Sequence, residues 1–391
     1  IYTEGCRDKH LCTSMCLTLC ISALLFLSSC NNSAQTKAKH ITHCKKETSL
    51  TVKYAKGFSV DYYKRFKLIT VKDWKDTTKI LAQYILLSKG ESAPIDFPNA
   101  ILLDAPVKKV ICVSTNHIAS MAQLGLADSI AGVTNVNLIY NKEIIARVSE
   151  NKIADVGKDE LNYEKIVALN PSFVFTSGSW DGGDKMKQKF NSLHIKSVLD
   201  LDYAEQNPLA RAEWLKFVAA FFNKEKKADS IFNAVEKNYL QLKEIAKNVS
   251  AKPTVFVNLP FKEIWYMPCG ENYTAKLIAD AGGNFLWKDT KATNGLNLNL
   301  DYEAVYAKAA HADIWLCNGF ANSLSEIKAA DNKNIFFQAF KTGNVFNNDK
   351  RNTSNVGFDF WESGPLEPDK ILAVLIFIFH PDLLPNHKLY Y

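Results

Sequence analysis

Residues 162–180 read NYEKIVALNPSFVFTSGSW, and residues 300–319 read LDYEAVYAKAAHADIWLCNG. In each stretch an acidic residue, Glu164 or Glu303, comes early in a short segment with helical spacing, and a run of apolar residues follows. The two stretches therefore predict the same unit twice, a helix that leads into a buried strand. Repetition of this unit builds a parallel sheet with helices on its faces.

The same alternation of strand and helix occurs on both sides of a central helical segment. We expect strands at 107–113, 130–133, 173–176, 254–258 and 313–317, and helices at 118–126, 163–169 and 273–281. Between them, apolar residues recur at helical spacing over 208–247, with a division near 223–225. The second helix, 225–247, would be about 35 Å long at about 1.5 Å per residue. Two α/β lobes thus flank one helical segment.

Two regions depart from this alternation. Over 50–103, short apolar runs alternate with polar turns, which predicts antiparallel strands. Residues 371–379 are very apolar but too few to cross a bilayer, and they suit a buried closing helix.

The first thirty residues are typical of a secretory signal. Arg7 and Lys9 precede a mostly apolar run, which meets Leu-Ser-Ser-Cys at Cys30. Small residues before a cysteine are what a lipoprotein signal peptidase needs, so we expect Cys30 to receive a diacylglycerol and to anchor the protein to the membrane. An ordinary signal cut elsewhere is the alternative. The polar stretch 31–46 is typical of a tether.

Composition and motifs favour a binding protein. A hydrophobic content of 47% predicts globular structure, and a net charge of +6 with interspersed signs gives no track for nucleic acid. Phosphate-loop, dinucleotide, zinc-protease and nucleophile-elbow motifs are absent from the sequence.

The histidines are isolated, so no metal site is predicted. The cysteines of the body are scattered and are expected to be small buried hydrophobic residues: Cys44, Cys112, Cys269 and Cys317.

The two early glutamates have a simple structural explanation. A carboxylate in the first turn of a helix interacts favourably with the helix dipole by about 0.3–1 kcal/mol and needs no partner. The residues alone leave this explanation open for Glu164 and Glu303.

Four stretches resemble one family. Residues 162–180 and 300–319 look like corresponding first-lobe and second-lobe segments of the cobalamin-, siderophore- and haem-binding proteins of ABC importers. KVICVSTNHIASMAQLGLADSIAGV at 109–133 is similar to the opening strand, helix and strand of that family, and NYTAKLIADAGGNFLW at 272–287 is similar to its second-lobe helix. The resemblance runs from about Pro106 to the end of the chain.

This resemblance implies an α/β fold of two Rossmann-like lobes, joined by a long rigid helix, with a ligand cleft between the lobes. It implies capture of an iron-siderophore, haem or cobalamin and delivery to the permease dimer of an ABC importer at the bacterial cell envelope, without catalysis or a cofactor. Glu164 and Glu303 would then dock the lobes onto the permease. Aromatic rings suit the broad faces of such ligands, and the candidate ligand residues are Asn116, His117, Trp180, Trp265, Tyr266, Phe358 and Trp361. Three other tryptophans are expected in the core: Trp214, Trp287 and Trp315.

These expectations divide the chain into six parts: a signal peptide at 1–29, an anchor and tether at 30–49, a strand-rich extension at 50–105, an N-terminal lobe at 106–207, a helical connection at 208–248 and a C-terminal lobe at 249–391. Two other functions stay open. The protein could be a surface interaction or scaffold lipoprotein, or a chelatase-like metal enzyme whose fold resembles this one.

We predict that Cys30→Ser leaves the protein soluble or uncleaved instead of membrane-anchored, because acyl chains would supply its strong membrane affinity. The measurement is palmitate labelling followed by membrane fractionation. Labelling that persists in the variant would contradict the assignment of Cys30.

Overall fold

A computed structural model describes residues 44–391, except 89, 159, 179–182, 292–296, 320 and 354–356. The predicted signal peptide, Cys30 and Trp180 lie outside the described residues. Among the described residues, no helix combines the length and apolar character that crossing a membrane requires.

A five-stranded sheet precedes the two lobes. Its strands are β1 (Lys46–Ser49), β2 (Phe58–Tyr63), β3 (Phe66–Lys72), β4 (Ile80–Leu87) and β5 (Ile101–Asp104). The strands are adjacent in chain order, and β1 to β4 are antiparallel as the sequence predicts. The last pair, β4 and β5, is parallel. Because β4 and β5 run in the same direction, the connection 88–100 must lead from the end of β4 back toward the level where β4 begins, and its length allows this.

The N-terminal lobe contains a parallel sheet in the order β10-β9-β6-β7-β8. Its strands are β6 (Val110–Cys112), β7 (Ile130–Val133), β8 (Ala154–Asp155), β9 (Phe173–Thr176) and β10 (Ser197–Leu199), and its helices are α1 (Thr115–Gln123), α2 (Lys142–Ser149), α3 (Tyr163–Leu169) and α4 (Gly183–Ser192).

Three helices connect the lobes: α5 (Pro208–Glu213), α6 (Leu215–Phe221) and α7 (Glu225–Ala246). The predicted division near 223–225 is confirmed, and Asn223 has a φ of 56° at that point. The 22 residues of α7 give a length of about 33 Å at about 1.5 Å per residue.

The C-terminal lobe contains a second parallel sheet in the order β13-β11-β15-β16, with two short antiparallel pairs beside it. Its strands are β11 (Thr254–Val257), β12 (Trp265–Pro268), β13 (Asn284–Phe285), β14 (Asn297–Leu300), β15 (Ile314–Leu316), β16 (Val345–Phe346), β17 (Asn352–Thr353) and β18 (Gly357–Phe358). Its helices are α8 (Tyr273–Asp280), α9 (Tyr302–Ala309), α10 (Leu324–Ala330), α11 (Gln338–Thr342), α12 (Asp359–Glu362) and α13 (Pro368–Phe379). The apolar α13 is the predicted buried closing helix.

The predicted α/β fold, with two lobes of parallel sheet joined by a long helix, is confirmed. The core tryptophans Trp214, Trp287 and Trp315 are buried as expected. Of the four cysteines among the described residues, three are buried, whereas Cys44 is half-buried at the start of the described chain. The division of the chain into six parts remains our proposal.

The first sheet shares its core with the N-terminal lobe. One face of the sheet packs in the same apolar cluster as the lobe's strands and α6. Tyr84 in β4 lies edge-on to Phe221 with ring centroids 5.9 Å apart, and its hydroxyl oxygen accepts a hydrogen bond from the backbone N–H of Leu199 at 2.8 Å. The extension is therefore part of the folded body and not a separate module.

Five consecutive backbone N–H groups hold this sheet to α5 and to the segment that precedes it. Those of Lys53, Tyr54 and Ala55 donate to the carboxylate of Glu213 at 2.7–3.1 Å. Those of residues 56 and 57 donate to Glu205 at 2.9 Å. We call residues 53–57 with these two carboxylates the N–H clamp. Glu213 is fully buried, so the donors supply the interactions that water would otherwise give its charge.

A buried lysine completes the N–H clamp. The ammonium of Lys216, which is 2% exposed, donates to Glu213 at 3.1 Å and to the carbonyl oxygen of Thr51 at 3.0 Å. The same ammonium lies 3.1 Å from the carboxylate of Asp229, so Lys216 pairs with two acidic residues. Loss of one partner of a buried ion pair costs about 3–5 kcal/mol when it leaves the other charge uncompensated.

We predict that Glu213→Gln lowers the free energy of unfolding by about 2–3 kcal/mol, because the amide has one acceptor oxygen in place of two and leaves clamp donors unpaired, while Lys216 keeps Asp229 as a partner. Backbone amides of residues 53–55 should also exchange with deuterium faster than in wild type. Chemical denaturation and peptide-level hydrogen exchange measure the two effects. The matched control is Glu244→Gln, an exposed glutamate on α7 that pairs with Lys247. Equal, small effects of both substitutions would contradict the clamp.

Candidate functional site

A cavity of about 870 Å³ lies where the carboxyl ends of the parallel strands of both lobes face each other. From the N-terminal lobe, Ser114 follows β6 and Ser177 follows β9. From the C-terminal lobe, Asn258 follows β11 and Asn318 follows β15. The carboxyl ends of strands are where open α/β sheets bind their ligands.

A polar network crosses one side of the cavity. The carboxylate of Asp202 accepts hydrogen bonds from the Asn116 amide at 3.1 Å and from Nε of Arg211 at 3.2 Å. The guanidinium of Arg211 also lies 5.2 Å from the ring centroid of Tyr273, which belongs to the C-terminal lobe. Arg211 therefore contacts both lobes, and its position on α5 fixes it to the connection between them.

A buried carboxyl group adjoins this network. The side chain of Asp200 accepts a hydrogen bond from the backbone N–H of Asp202 at 3.0 Å and is 4% exposed. Burial raises the pKa of Asp200 well above its usual value, and the neighbouring charge of Asp202 adds to the shift.

Carboxamides dominate the polar wall of the cavity. Among the described residues, eight asparagines line it: Asn116, Asn258, Asn272, Asn297, Asn299, Asn318, Asn347 and Asn348. The Asn347 amide donates to the carbonyl oxygens of Gly319 and Ala321, so the strand-following loops hold it in place. A carboxamide both donates and accepts hydrogen bonds, which suits a ligand with several oxygen or nitrogen atoms.

Asn348 differs from the other carboxamides of the wall. It is only 5% exposed, and both its side-chain oxygen and nitrogen lack a hydrogen-bond partner among the described residues. A buried polar group without a partner costs about 1–3 kcal/mol. Because Asn348 lines the cavity, a ligand that enters can satisfy it.

The segment that carries Trp361 is tied to both lobes. Glu362 accepts hydrogen bonds from the backbone N–H groups of Tyr140 and Asn141 at 2.7 and 3.0 Å, and burial raises its pKa to about 7. Asp359 accepts a hydrogen bond from Nε of Arg351 at 2.7 Å. The helix α12 is therefore anchored on both sides, and Trp361 lies on the cavity wall with 47% of its surface exposed.

The structure brings three of the predicted ligand residues together on the wall, namely Asn116, Tyr266 and Trp361. It does not place His117, Trp265 and Phe358 there. Trp180 lies outside the described residues.

Trp265 is corrected to a core residue. It is fully buried, and its indole N–H donates to the carbonyl oxygen of Val257 at 2.8 Å. Successive residues of a strand point to opposite faces, so Tyr266 reaches the cavity and Trp265 does not. Phe358 is likewise buried, with 4% exposure.

His117 is also corrected to a buried position behind the wall. It is 2% exposed, and its ring centroid lies 5.2 Å from that of Phe175. Burial lowers the pKa of His117 to about 4, although the charge of Asp202 opposes the shift. The imidazole is neutral near pH 7.

Sequence reasoning missed most of the carboxamides, as well as Asp202 and Arg211. The sequence did contain one indication of the missed carboxamides, because Asn258, Asn318 and Asn347 each come directly after a predicted or observed strand. Arg211 carried no such signal, since it lies in a helix that the sequence marked only as a connection.

The two predicted docking glutamates lie at corresponding places. Glu164 is exposed in the first turn of α3, and Glu303 is exposed in the first turn of α9. Other side chains cap these helices: Asn162 accepts a hydrogen bond from the backbone N–H of Lys165, and Asp301 accepts one from that of Ala304. The Glu303 carboxylate lies 3.5 Å from the ammonium of Lys333.

Comparisons with known sequences agree with this architecture. A model of the periplasmic binding protein family matches residues 110–351. An uncharacterized lipoprotein of Methanocaldococcus jannaschii is 29% identical over 403 residues, which cover 95% of this chain and 94% of the relative. An ABC transporter substrate-binding lipoprotein of Bacillus subtilis is 26% identical over 180 residues, covering 44% of this chain and 54% of the relative.

Solved structures show the same fold at low sequence identity. The molybdate-bound periplasmic binding protein of Haemophilus influenzae has a TM-score of 0.56 at 17% identity and covers 73% of this chain and 90% of its own. A periplasmic haem-binding protein of Roseiflexus has a TM-score of 0.52 at 14% identity and covers 70% of this chain and 99% of its own. With the family match extending over more than half of its length, the chain belongs to the periplasmic binding protein family, the extracytoplasmic substrate-binding proteins of ABC transporters.

Proposed function

We propose that this substrate-binding protein captures a bulky metal chelate, an iron-siderophore, haem or cobalamin, and delivers it to its importer without catalysing a reaction. The observation that carries the proposal is the cavity between the lobes, with its carboxamide and aromatic walls and the unpaired Asn348. Its volume of about 870 Å³ suits an organic ligand, since pockets for such molecules span about 300–1,000 Å³.

A small oxyanion is the second candidate, because a similar fold in Haemophilus influenzae binds molybdate. Such an ion would fill little of the cavity. Tyr266 and Trp361, which line the cavity, would then make no contact with the ligand. Aromatic rings cover flat ligand surfaces at small cost in side-chain entropy. The size and aromatic content of the wall therefore favour a chelate with broad faces.

The polar groups of the wall suit the periphery of such a chelate. Carboxamides and the guanidinium of Arg211 can donate hydrogen bonds to the oxygens of a siderophore, to haem propionates or to the amides of a corrinoid. Nε of Arg211 is engaged by Asp202, and the described residues accept no hydrogen bond from its two terminal nitrogens. These nitrogens support the binding of an oxygen-rich ligand.

Membrane attachment and docking complete the proposal. We keep Cys30 as the lipid-bearing residue, which would hold the protein near its permease. We propose that Glu164 and Glu303 form salt bridges with the two permease subunits. Their exposure supports this role. Because Asn162 and Asp301 accept the N-cap hydrogen bonds, the glutamates are not needed as caps, and the interaction with the helix dipole is the structural alternative that the experiment below tests.

We predict that the purified protein binds at least one of haemin, cyanocobalamin and a ferric tris-catecholate, and that Trp361→Ala weakens this binding about tenfold by removing an aromatic face. Absorbance and tryptophan fluorescence titrations measure the affinity. The melting temperature of Trp361→Ala should stay close to wild type because the ring is half exposed.

The matched comparison is Trp265→Ala. Removal of this buried ring should cost about 3–5 kcal/mol of stability. A protein that binds molybdate and none of the three chelates would contradict the proposed ligand class. A large stability loss in Trp361→Ala would show that this ring also belongs to the core.

We predict that Glu164→Arg combined with Glu303→Arg abolishes ligand-dependent stimulation of the transporter ATPase. Like charges placed opposite each other in an interface cost several kcal/mol, so reversal should weaken docking at least about 100-fold. The assay uses the permease complex in proteoliposomes, and ligand affinity and melting temperature are measured on the same double variant.

The control is the double reversal Glu150→Arg with Glu244→Arg, two exposed glutamates outside the predicted docking positions. It should stimulate the ATPase as wild type does. Intact stimulation by the Glu164→Arg, Glu303→Arg protein, with a lower melting temperature, would assign these glutamates to helix stability instead.

A further inference from the structure

The loop between β3 and β4 forms part of the cavity wall. Two of its residues, Trp74 and Lys75, line the same cavity as the asparagines of the two lobes. This loop belongs to the N-terminal sheet and lies outside residues 110–351, which the family model matches. The extension thus adds a third surface to a site that the two lobes otherwise share.

Internal hydrogen bonds give the loop a defined shape. The side chain of Asp73 accepts from the backbone N–H of Lys75 at 2.8 Å, and that of Asp76 accepts from the backbone N–H and hydroxyl of Thr78 at 3.0 and 2.6 Å. The backbone N–H of Asp73 closes the loop by donating to the carbonyl oxygen of Lys79 at 2.9 Å. Aspartates commonly stabilise turns in this way.

The N–H clamp fixes the base of the loop. The backbone N–H of Lys72 donates to the carbonyl oxygen of Gly57 at 2.7 Å, and the N–H of Gly57 donates to Glu205. The same carboxylate accepts the indole N–H of Trp214 at 3.1 Å. A side chain at Gly57 would lie 2.7 Å from the Trp214 ring, so the close approach requires glycine. The loop is therefore held against the segment that carries Asp202.

The loop brings positive charge to the cavity. The ammonium of Lys75 lies over the Trp74 ring, 5.1 Å from its centroid, and no described carboxylate forms a salt bridge with it. Among the described wall residues the other charged groups are Asp202 and Arg211, which pair with each other. Within the described part of the wall, the charge without a salt-bridge partner is therefore that of Lys75.

We propose that the β3–β4 loop selects the ligand: Trp74 covers a flat face of the chelate and Lys75 pairs with an anionic group at its periphery. The site then prefers anionic chelates to neutral or cationic chelates of similar size. This inference rests on the proposed capture of a metal chelate and names the charge class within it.

The test compares two ferric siderophore complexes, a trianionic tris-catecholate and the monocationic ferrioxamine B, by fluorescence titration of the full-length protein in detergent. Lys75→Gln should weaken binding of the tris-catecholate about fivefold, the upper end for an exposed ion pair. It should leave the affinity for ferrioxamine B unchanged or slightly higher. Trp74→Ala should weaken binding of both complexes while the melting temperature stays within a few degrees of wild type.

The control is Lys79→Gln, which removes one positive charge from the same loop at a residue outside the cavity wall, where the ammonium lies 3.8 Å from the carboxylate of Asp73. Its affinities should equal those of wild type. Equal effects of Lys75→Gln and Lys79→Gln on the tris-catecholate, or no effect of Lys75→Gln, would overturn the inference while chelate capture stands. A wild-type protein that binds neither complex, nor haemin or cyanocobalamin, would overturn both proposals.

Discussion

The structure depends on the burial of Glu213, whose carboxylate has no contact with water and is satisfied by backbone N–H groups and by Lys216. A buried charge is tolerated only with such partners. Because Glu213 ends α5, the N–H clamp joins the N-terminal sheet to the helices that connect the lobes. Two residues earlier on the same helix, Arg211 reaches the cavity. One short helix thus holds the extension and contributes to the site.

The site combines two different kinds of support. The loops that follow β6, β9, β11 and β15 place polar side chains at the strand ends, where the geometry of parallel sheets brings them together. Tyr266 reaches the wall from β12, whereas Trp361, Arg211 and the pair Trp74 and Lys75 come from elements outside the sheets, namely α12, α5 and the β3–β4 loop. Each of these three elements is anchored by hydrogen bonds to a carboxyl group, that of Glu362, Asp202 and Glu205 respectively. A preorganised wall of this kind loses little freedom when a ligand binds.

Much of the fold could be predicted because hydrophobic periodicity reports burial directly. The strands 130–133 and 173–176 and the helix 163–169 were predicted at the bounds that the structure has. The candidate site was predicted less well. A tryptophan is equally suited to a core and to a ligand face, so Trp265 and Trp361 could not be distinguished without knowing which way each strand or helix faces.

The sequence by itself determined the elements, their alternation and the long helix between two lobes, since these follow from local spacing of apolar residues. It also indicated the ends of strands at which ligand groups gather. Only the tertiary structure decided which residues share the cavity. Lys75 and Asn318 are 243 positions apart in the chain, yet they line one wall. Such contacts depend on the relative placement of sheets and helices, which long-range packing and buried hydrogen bonds fix and which no local pattern encodes.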